Sequence, residues 1–177
     1  MIRIVGGESQ DRVVSVKIGE KYFSLQTGNI ELCSKLIEGP YPDYKKVIPQ
    51  ENPKHAIIDK ASLISSVKRV SVLSNQKTNL VQFNFTENEL ELVVSNRDIG
   101  GEAREIIPVE YSGEEHAIGF NGHYFAEILG IINSKKVRIE MNTQISACLL
   151  FPVFDEESEK KAENLFLIMP LRILDEI

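Results

Sequence analysis

Apolar and polar residues alternate through 12–18 and again through 21–27, the period of two that a half-buried strand requires, and Gly19-Glu20 between them is a two-residue hairpin signal. After Gly28-Asn29 a third strand runs to about Ile37. Ahead of these, Ile2, Ile4 and Val5 followed by Gly6-Gly7 read as the tail of a helix stopping at glycine. The stretch 35–49 then breaks the pattern, because prolines at 40, 42, 49 and 53 remove backbone donors and push the preceding residues towards extended geometry. It reads as a stiff connector, and its tyrosines and basic pair make it a candidate surface as well as a hinge.

Beyond the connector, 55–59 is a short strand, and Asp59 is placed to cap a helix over about 61–75. Leu63, Val67 and Val70 share one face of that helix, with Ser65, Ser66, Lys68 and Arg69 largely off it. Strands follow at about 80–86, 89–95 and 102–109, the first two joined by Glu87-Asn88. The order then repeats: His116–Phe120 is a strand, Asn121 caps a helix that turns Tyr124, Phe125, Ile128, Leu129 and Ile132 inward, and strands follow at 136–141, 145–151 and 164–171. A strand, a helix and three strands thus occur twice. Two local likenesses support an internal duplication, His55-Ala56-Ile57 with His116-Ala117-Ile118 and Val81–Phe85 with Val137–Met141.

The fold class expected is α+β, with each helix laying its apolar stripe on a sheet and a pseudo-twofold setting the two helices side by side. Residues 2–37 match the last part of such a unit, so an upstream half-unit is expected to precede them. A chain of 177 residues accommodates one full domain of roughly 100–150 residues plus a remnant.

Composition narrows the function classes. No apolar run approaches the ~18 residues of a membrane helix, and the first residues lack the pattern of a signal peptide, so the expected location is cytoplasmic. The net charge of −6 argues against a surface coated for nucleic acid, yet Lys68, Arg69, Lys77, Lys135 and Lys136 fall on or beside the two helices. Those five form either an ordinary solvated face or a backbone-tracking face for a duplex, blind to sequence because no base-reading motif is present. Cys33 and Cys148 lie singly in apolar runs and are expected to be buried free thiols.

Catalytic chemistry is scarce. The three histidines, His55, His116 and His123, have no metal-ligand spacing, and there is no glycine-rich phosphate loop. Gly100-Gly101 after Asp98 reads as a turn, and the acids at 114–115 and 155–159 as solvation. No cofactor is expected, and a binding protein is favoured over an enzyme.

Four segments carry a family resemblance: Leu36–Gly39 with Tyr41–Pro49, Val72–Lys77, Tyr111–Gly113 with Ile118–Asn121, and Met169–Arg172. In this order and over nearly the whole chain they resemble the bacterial sliding clamp, the beta subunit of DNA polymerase III. The resemblance implies a DNA-clamp fold, with antiparallel sheets outside and two helices on the inner face of each doubled unit. It divides the chain into the second half of a middle domain (1–48), a connector (49–54) and a complete third domain (55–177). It further implies a homodimeric ring around duplex DNA in the full-length family, and as partners the polymerase III catalytic subunit, the clamp loader and other proteins with a clamp-binding motif. Carried over to this chain, a partner-peptide pocket would use Pro42, Lys46, Val47, Tyr124, Ile145, Ile168, Met169, Pro170, Leu171 and Arg172, and a subunit interface Val72 and Leu73. For Ile168 and Leu171 plain strand core is the competing reading. Lys46 stands where the family usually has arginine and lacks its planar bidentate geometry, and Thr78-Asn79 and Gln82 thin the basic face. A truncated interaction module that binds loader or polymerase without encircling DNA is the alternative function.

Overall fold

A computed structural model describes residues 13–40, 43–154 and 164–173. The chain divides into two compact units, one up to Asp43 and one from Tyr44 onward. In the first, β1 (Ser15–Ile18), β2 (Tyr22–Thr27) and β3 (Ile30–Lys35) form an antiparallel sheet in that order. The hairpin expected at Gly19-Glu20 closes with the Gly19 N–H donating to the Tyr22 carbonyl at 2.8 Å. Register places Val16 beside Leu25 and Ile18 beside Phe23, so these four share one face. Cys33, expected to be buried, is exposed on β3. It pairs with Ser24 and therefore belongs to the opposite, polar face.

The second unit begins with a single 3-10 turn, Tyr44–Lys46, and continues as β4 (Lys54–Asp59), α1 (Lys60–Ser71), β5 (Leu80–Thr86), β6 (Glu89–Asn96), β7 (Gly101–Pro108) and the two-residue β8 (Glu110–Tyr111). The second copy is β9 (His116–Asn121), α2 (Gly122–Ile131), β10 (Lys136–Met141), β11 (Cys148–Val153) and β12 (Phe166–Ile168). Two antiparallel sheets result, ordered β12-β11-β10-β4-β8 and β7-β6-β5-β9. The lead strand of each copy is exchanged: β4 pairs with β10 of the second copy, and β9 pairs with β5 of the first.

This exchange tests the proposed duplication and corrects its register. Ala56 lies opposite Ile139, while in the other sheet Ile118 lies opposite Phe83. Ala56 is thus equivalent to Ile118, Ile58 to Phe120 and Asp59 to Asn121. The His-Ala-Ile likeness is a coincidence one residue out of step, and such a slip would turn every side chain of the strand to the other face.

Both helix caps are as expected. Asp59 accepts from the Ser62 N–H, and Asn121 from those of His123 and Tyr124. The first helix is shorter than its apolar pattern predicts: it ends at Ser71, where the Ser74 hydroxyl donates to the Ser71 carbonyl at 2.7 Å and the Val72 N–H reaches back to Arg69. Two assignments are corrected, Ser66 expected off the buried face and Tyr124 expected inward. Ser66 is fully buried, because α1 packs on both β-strands and α2 and its buried arc is wider than an apolar stripe. Tyr124 is exposed, as its place in the first turn of α2 carries it off the arc held by Phe125 and Leu129. Similarly, 145–147 form a turn ahead of β11, and the final strand ends at Ile168 because Pro170 has no N–H for a ladder.

The core is continuous between these layers. Phe83 lies at its centre, 4.8 Å from Phe125 and 5.1 Å from Phe120 between ring centroids. Leu63, Val67 and Val70 of α1 meet it, and so do their equivalents Phe125, Leu129 and Ile132. Gly122 permits the close approach here, since a Cβ would lie 2.5 Å from Ser71 Oγ and 2.6 Å from Val81 Cγ2. Truncating Phe83 to alanine should destabilise the unit by about 3–5 kcal/mol in urea unfolding; a loss near zero would place the core elsewhere.

His116 is buried at the start of β9, and burial, with Lys54 nearby, holds its imidazole below the ordinary value. Its unfolded form gains a proton near pH 6.5 while the folded form does not, so stability should fall as pH drops below about 6.5. Urea midpoints at pH 7.5 and 5.5 check this, and His116→Gln should flatten that part of the profile.

Candidate peptide pocket and charged helix face

Hydrogen bonds among three segments of the second unit tie together the elements that carry Tyr124, Ile145 and the tail 168–172. Asn52, the buried end of the connector, donates to the carbonyls of Glu140 at 3.1 Å and Ala147 at 3.3 Å, which fixes the turn between β10 and β11. Ile145 projects from that turn, whose shape is set by mutual hydrogen bonds of Thr143 and Ser146. The turn feeds Cys148, which pairs with Ile168 of β12. Three residues on, the Leu171 N–H donates to the Gly119 carbonyl at 2.8 Å, binding the tail to β9 just before the Asn121 cap and Tyr124.

Within this frame Tyr124 (60%), Ile145 (64%), Met169 (58%) and Val47 (59%) are all strongly exposed apolar or aromatic side chains. Val47 follows the 3-10 turn, its N–H donating to the Tyr44 carbonyl, and Lys46 precedes it on the surface. Pro170 and Leu171 are half-buried and Arg172 is exposed. Ile168 belongs to the hydrophobic core, in agreement with the plainer reading of its sequence. Pro42 lies outside the described residues. The cleft that forms beside the tail takes Leu171 and Arg172 together with Lys77, Thr78 and Leu80.

Gly119 allows the tail to lie where it does. A Cβ there would stand 2.8 Å from the Leu171 carbonyl oxygen and 2.7 Å from Leu80 Cδ1.

The charged residues of the helix face differ in their engagement. Arg69 is held by Glu105 of β7 in a two-point pair, Nε to Oε1 and Nη2 to Oε2 both at 2.6 Å, and Nη2 also reaches Ser66 Oγ. Hydrogen bonding from Arg69 lowers the Glu105 carboxyl below its usual range. Lys136 pairs with Glu110 at 2.6 Å. Lys68, Lys77 and Lys135 are exposed and have no carboxylate partner among the described residues.

At the end of α1, Val72 is 81% exposed whereas Leu73 packs against the core. Beside them β7 is the outer strand of its sheet, with Ile106 exposed. Sequence reading overlooked this edge, although the alternation of 102–109 already placed Ile106 opposite the buried Ile107. Cys148 is inert, its thiol pushed up to about 12 by burial.

The family profile described as "DNA polymerase III beta subunit, C-terminal domain" matches residues 45–171. The chain belongs to that family. It is 32% identical over 166 residues to a beta sliding clamp of Haemophilus influenzae, covering 94% of this chain and 43% of the relative. The Escherichia coli K12 beta sliding clamp is 31% identical over 163 residues, covering 92% and 43%. A crystal structure of the Pseudomonas aeruginosa sliding clamp, polymerase III subunit beta, bound to griselimycin superposes with a TM-score of 0.73 at 29% identity, covering 97% of this chain and 44% of that one. The DNA-clamp fold expected from the sequence is therefore the fold observed, in a chain that spans less than half the length of these relatives.

Replacing Gly119 with alanine should release the tail. Hydrogen exchange at the Leu171 amide is expected to accelerate at least ten-fold while β5 and β10 stay protected, and unchanged Leu171 protection would show that the tail does not depend on this contact.

Proposed function

We propose that the chain acts as the C-terminal portion of a DNA sliding clamp, a processivity factor that tethers replication and repair proteins through an apolar peptide pocket. The observation that carries this reading is that Val47, Tyr124, Ile145 and Met169, the apolar and aromatic residues expected to line the pocket, are all exposed on a clamp fold. Isolated exposed apolar residues are ordinary, but several in segments tied together by β-pairing suit short extended peptides with aliphatic or aromatic anchors. Pro170 and Leu171 complete the slot, Ile168 supports it from the core, and Lys46 and Arg172 supply polar guidance at its rim. Pro42 is assigned to the same wall from the sequence. The partners are the polymerase III catalytic subunit, the clamp loader and other proteins bearing clamp-binding peptides, and the activity is binding rather than catalysis.

In the complete ring, residues 1–48 belong to the middle domain and 55–177 to the third, with 49–54 between them. The pair Val72 and Leu73 contributes to the homodimer interface, Val72 as the exposed contact and Leu73 as its support. Lys68, Arg69, Lys77, Lys135 and Lys136 face duplex DNA without reading its sequence. Cytoplasmic location goes with this role; among the described residues no helix is long and apolar enough to cross a membrane.

A fluorescent clamp-binding peptide tests the pocket. Tyr124→Ala and Met169→Ala should each weaken binding roughly ten-fold or more, as expected of anchors in a desolvated slot, and binding indifferent to both would remove the pocket from this chain.

A second reading, an interaction module that does not encircle DNA, is favoured by the engagement of Arg69 by Glu105 and of Lys136 by Glu110. The two readings part on circular DNA: retention that is lost on linearisation excludes the non-encircling module. If Arg69 contacts phosphate, Glu105→Gln should strengthen duplex binding and steepen its salt dependence by about one ion. Equal slopes in the two proteins would leave Arg69 as a structural residue.

A further inference from the structure

Asn121-Gly122 is the one Asn-Gly pair in the sequence. In an unstructured chain such a pair is chemically labile, because glycine has no Cβ to shield its amide nitrogen from the asparagine side chain. The Gly122 nitrogen attacks Asn121 Cγ, gives up its proton and expels ammonia, which leaves a five-membered imide. Water then opens that ring at one carbonyl or the other. The products are aspartate and isoaspartate, the latter with the main chain rerouted through Cβ.

The fold needs both members of the pair. Asn121 caps α2, its Oδ1 accepting from the His123 N–H at 3.0 Å and the Tyr124 N–H at 3.1 Å, while its Nδ2 donates to the Thr78 carbonyl at 3.2 Å. Aspartate would keep the cap and lose that donor. Gly122 is buried, and a side chain there would collide with Ser71 and Val81. Packing thus puts a reactive pair at the foot of the helix that carries Tyr124.

The same contacts withhold the reaction. Ring closure requires Asn121 Cβ and the Gly122 nitrogen to eclipse one another about the Cα–C bond, and with the Asn121 ψ at 108° tetrahedral geometry sets them far apart. The nucleophile is engaged as well, since the Gly122 N–H donates to the Asn79 carbonyl at 2.8 Å. Turning ψ into the reactive range breaks this bond and the cap together.

We propose that Asn121-Gly122 is a latent deamidation site, held unreactive by the docked first turn of α2 and converted only in molecules where that turn has opened. Reaction then tracks the population of the open form. Isoaspartate adds an atom to the main chain just ahead of the helix, so the cap and Tyr124 lose their register and peptide binding weakens. This second step rests on the peptide-pocket reading; the latent site does not.

Incubating the full chain in mildly alkaline buffer, with and without urea above its unfolding midpoint, tests the site by peptide mass spectrometry. Asn133, exposed in the connection after α2 and followed by serine, serves as internal standard. In urea Asn121 should gain the mass of amide-to-acid conversion faster than Asn133. In the folded protein the order should invert, with Asn121 slowed roughly ten-fold or more. Asn121 reacting as fast folded as unfolded overturns the lock, and Asn121 no faster than Asn133 in urea overturns the lability. For the consequence, the unaged chain, Asn121→Asp and the purified isoaspartate fraction are compared in binding the fluorescent clamp-binding peptide. The Asp variant should bind within about two-fold of the unaged chain, because aspartate is an equally good cap. The isoaspartate fraction should bind roughly ten-fold more weakly, the loss expected of a displaced anchor, and equal binding overturns this step. Failure of the unaged chain to bind removes the pocket reading and the second step with it, and leaves the deamidation site standing.

Discussion

The exchange of β4 and β9 between the two halves of the second unit is the constraint from which the rest follows. Neither copy can complete its sheet from its own strands, because the edge of β5 is satisfied by β9 and the edge of β10 by β4. Those ladders fix which faces of β5 and β10 turn inward, and the inward residues Phe83 and Ile139 then receive Ile118 and Ala56 as their neighbours. Since each helix follows its exchanged strand directly, both are delivered to the same region and pack side by side. Most of these contacts join residues far apart in sequence, so folding of the unit requires both copies together.

Charge is arranged around that core largely by local pairing. Arg69 and Glu105 link α1 to β7, and Lys136 and Glu110 link β10 to the segment after β7. Arg104 bridges Glu91 and Glu102 on the outer face of β6 and β7. Pairs this exposed add little to stability, but they decide which cations remain available to an outside anion. The acidic composition is thus consistent with a few basic positions, Lys68, Lys77 and Lys135, being available for anions.

Much of this was legible in the sequence, and the parts that were not share a cause. Asp59 and Asn121 were recognisable as caps because capping is decided within three residues, and the hairpin at Glu87-Asn88 because Asn88 adopts a left-handed conformation of φ 62° that asparagine tolerates well. The repeated order of elements gave the duplication, but not its register, since a period-two pattern reads almost equally well one residue out of step. Ser66 was misplaced because an apolar stripe predicts burial against one surface, whereas α1 meets both a sheet and a second helix, and Tyr124 because the first turn of α2 carries it off the buried arc. Ile145 and the short β12 depended on a turn and a proline-interrupted tail that only tertiary pairing defines. The cleft beside the tail had no sequence signal, as its walls come from separate segments.

The tail also ties recognition to local folding. Among the described residues beyond Ile168, the backbone pairing that holds the tail is that of Leu171 with Gly119, at the margin of the core. A terminal segment held by so few bonds opens at a free-energy cost well below that of the whole domain. Met169 and Arg172 sit on either side of that pairing, so the proposed binding surface would exist only in the fraction of molecules whose tail is docked. Apparent affinity is the intrinsic affinity scaled by that fraction, and any ligand that engages both residues must in turn draw the tail onto β9. On the proposed reading the tail 169–173 is an element that ligand binding helps to fold.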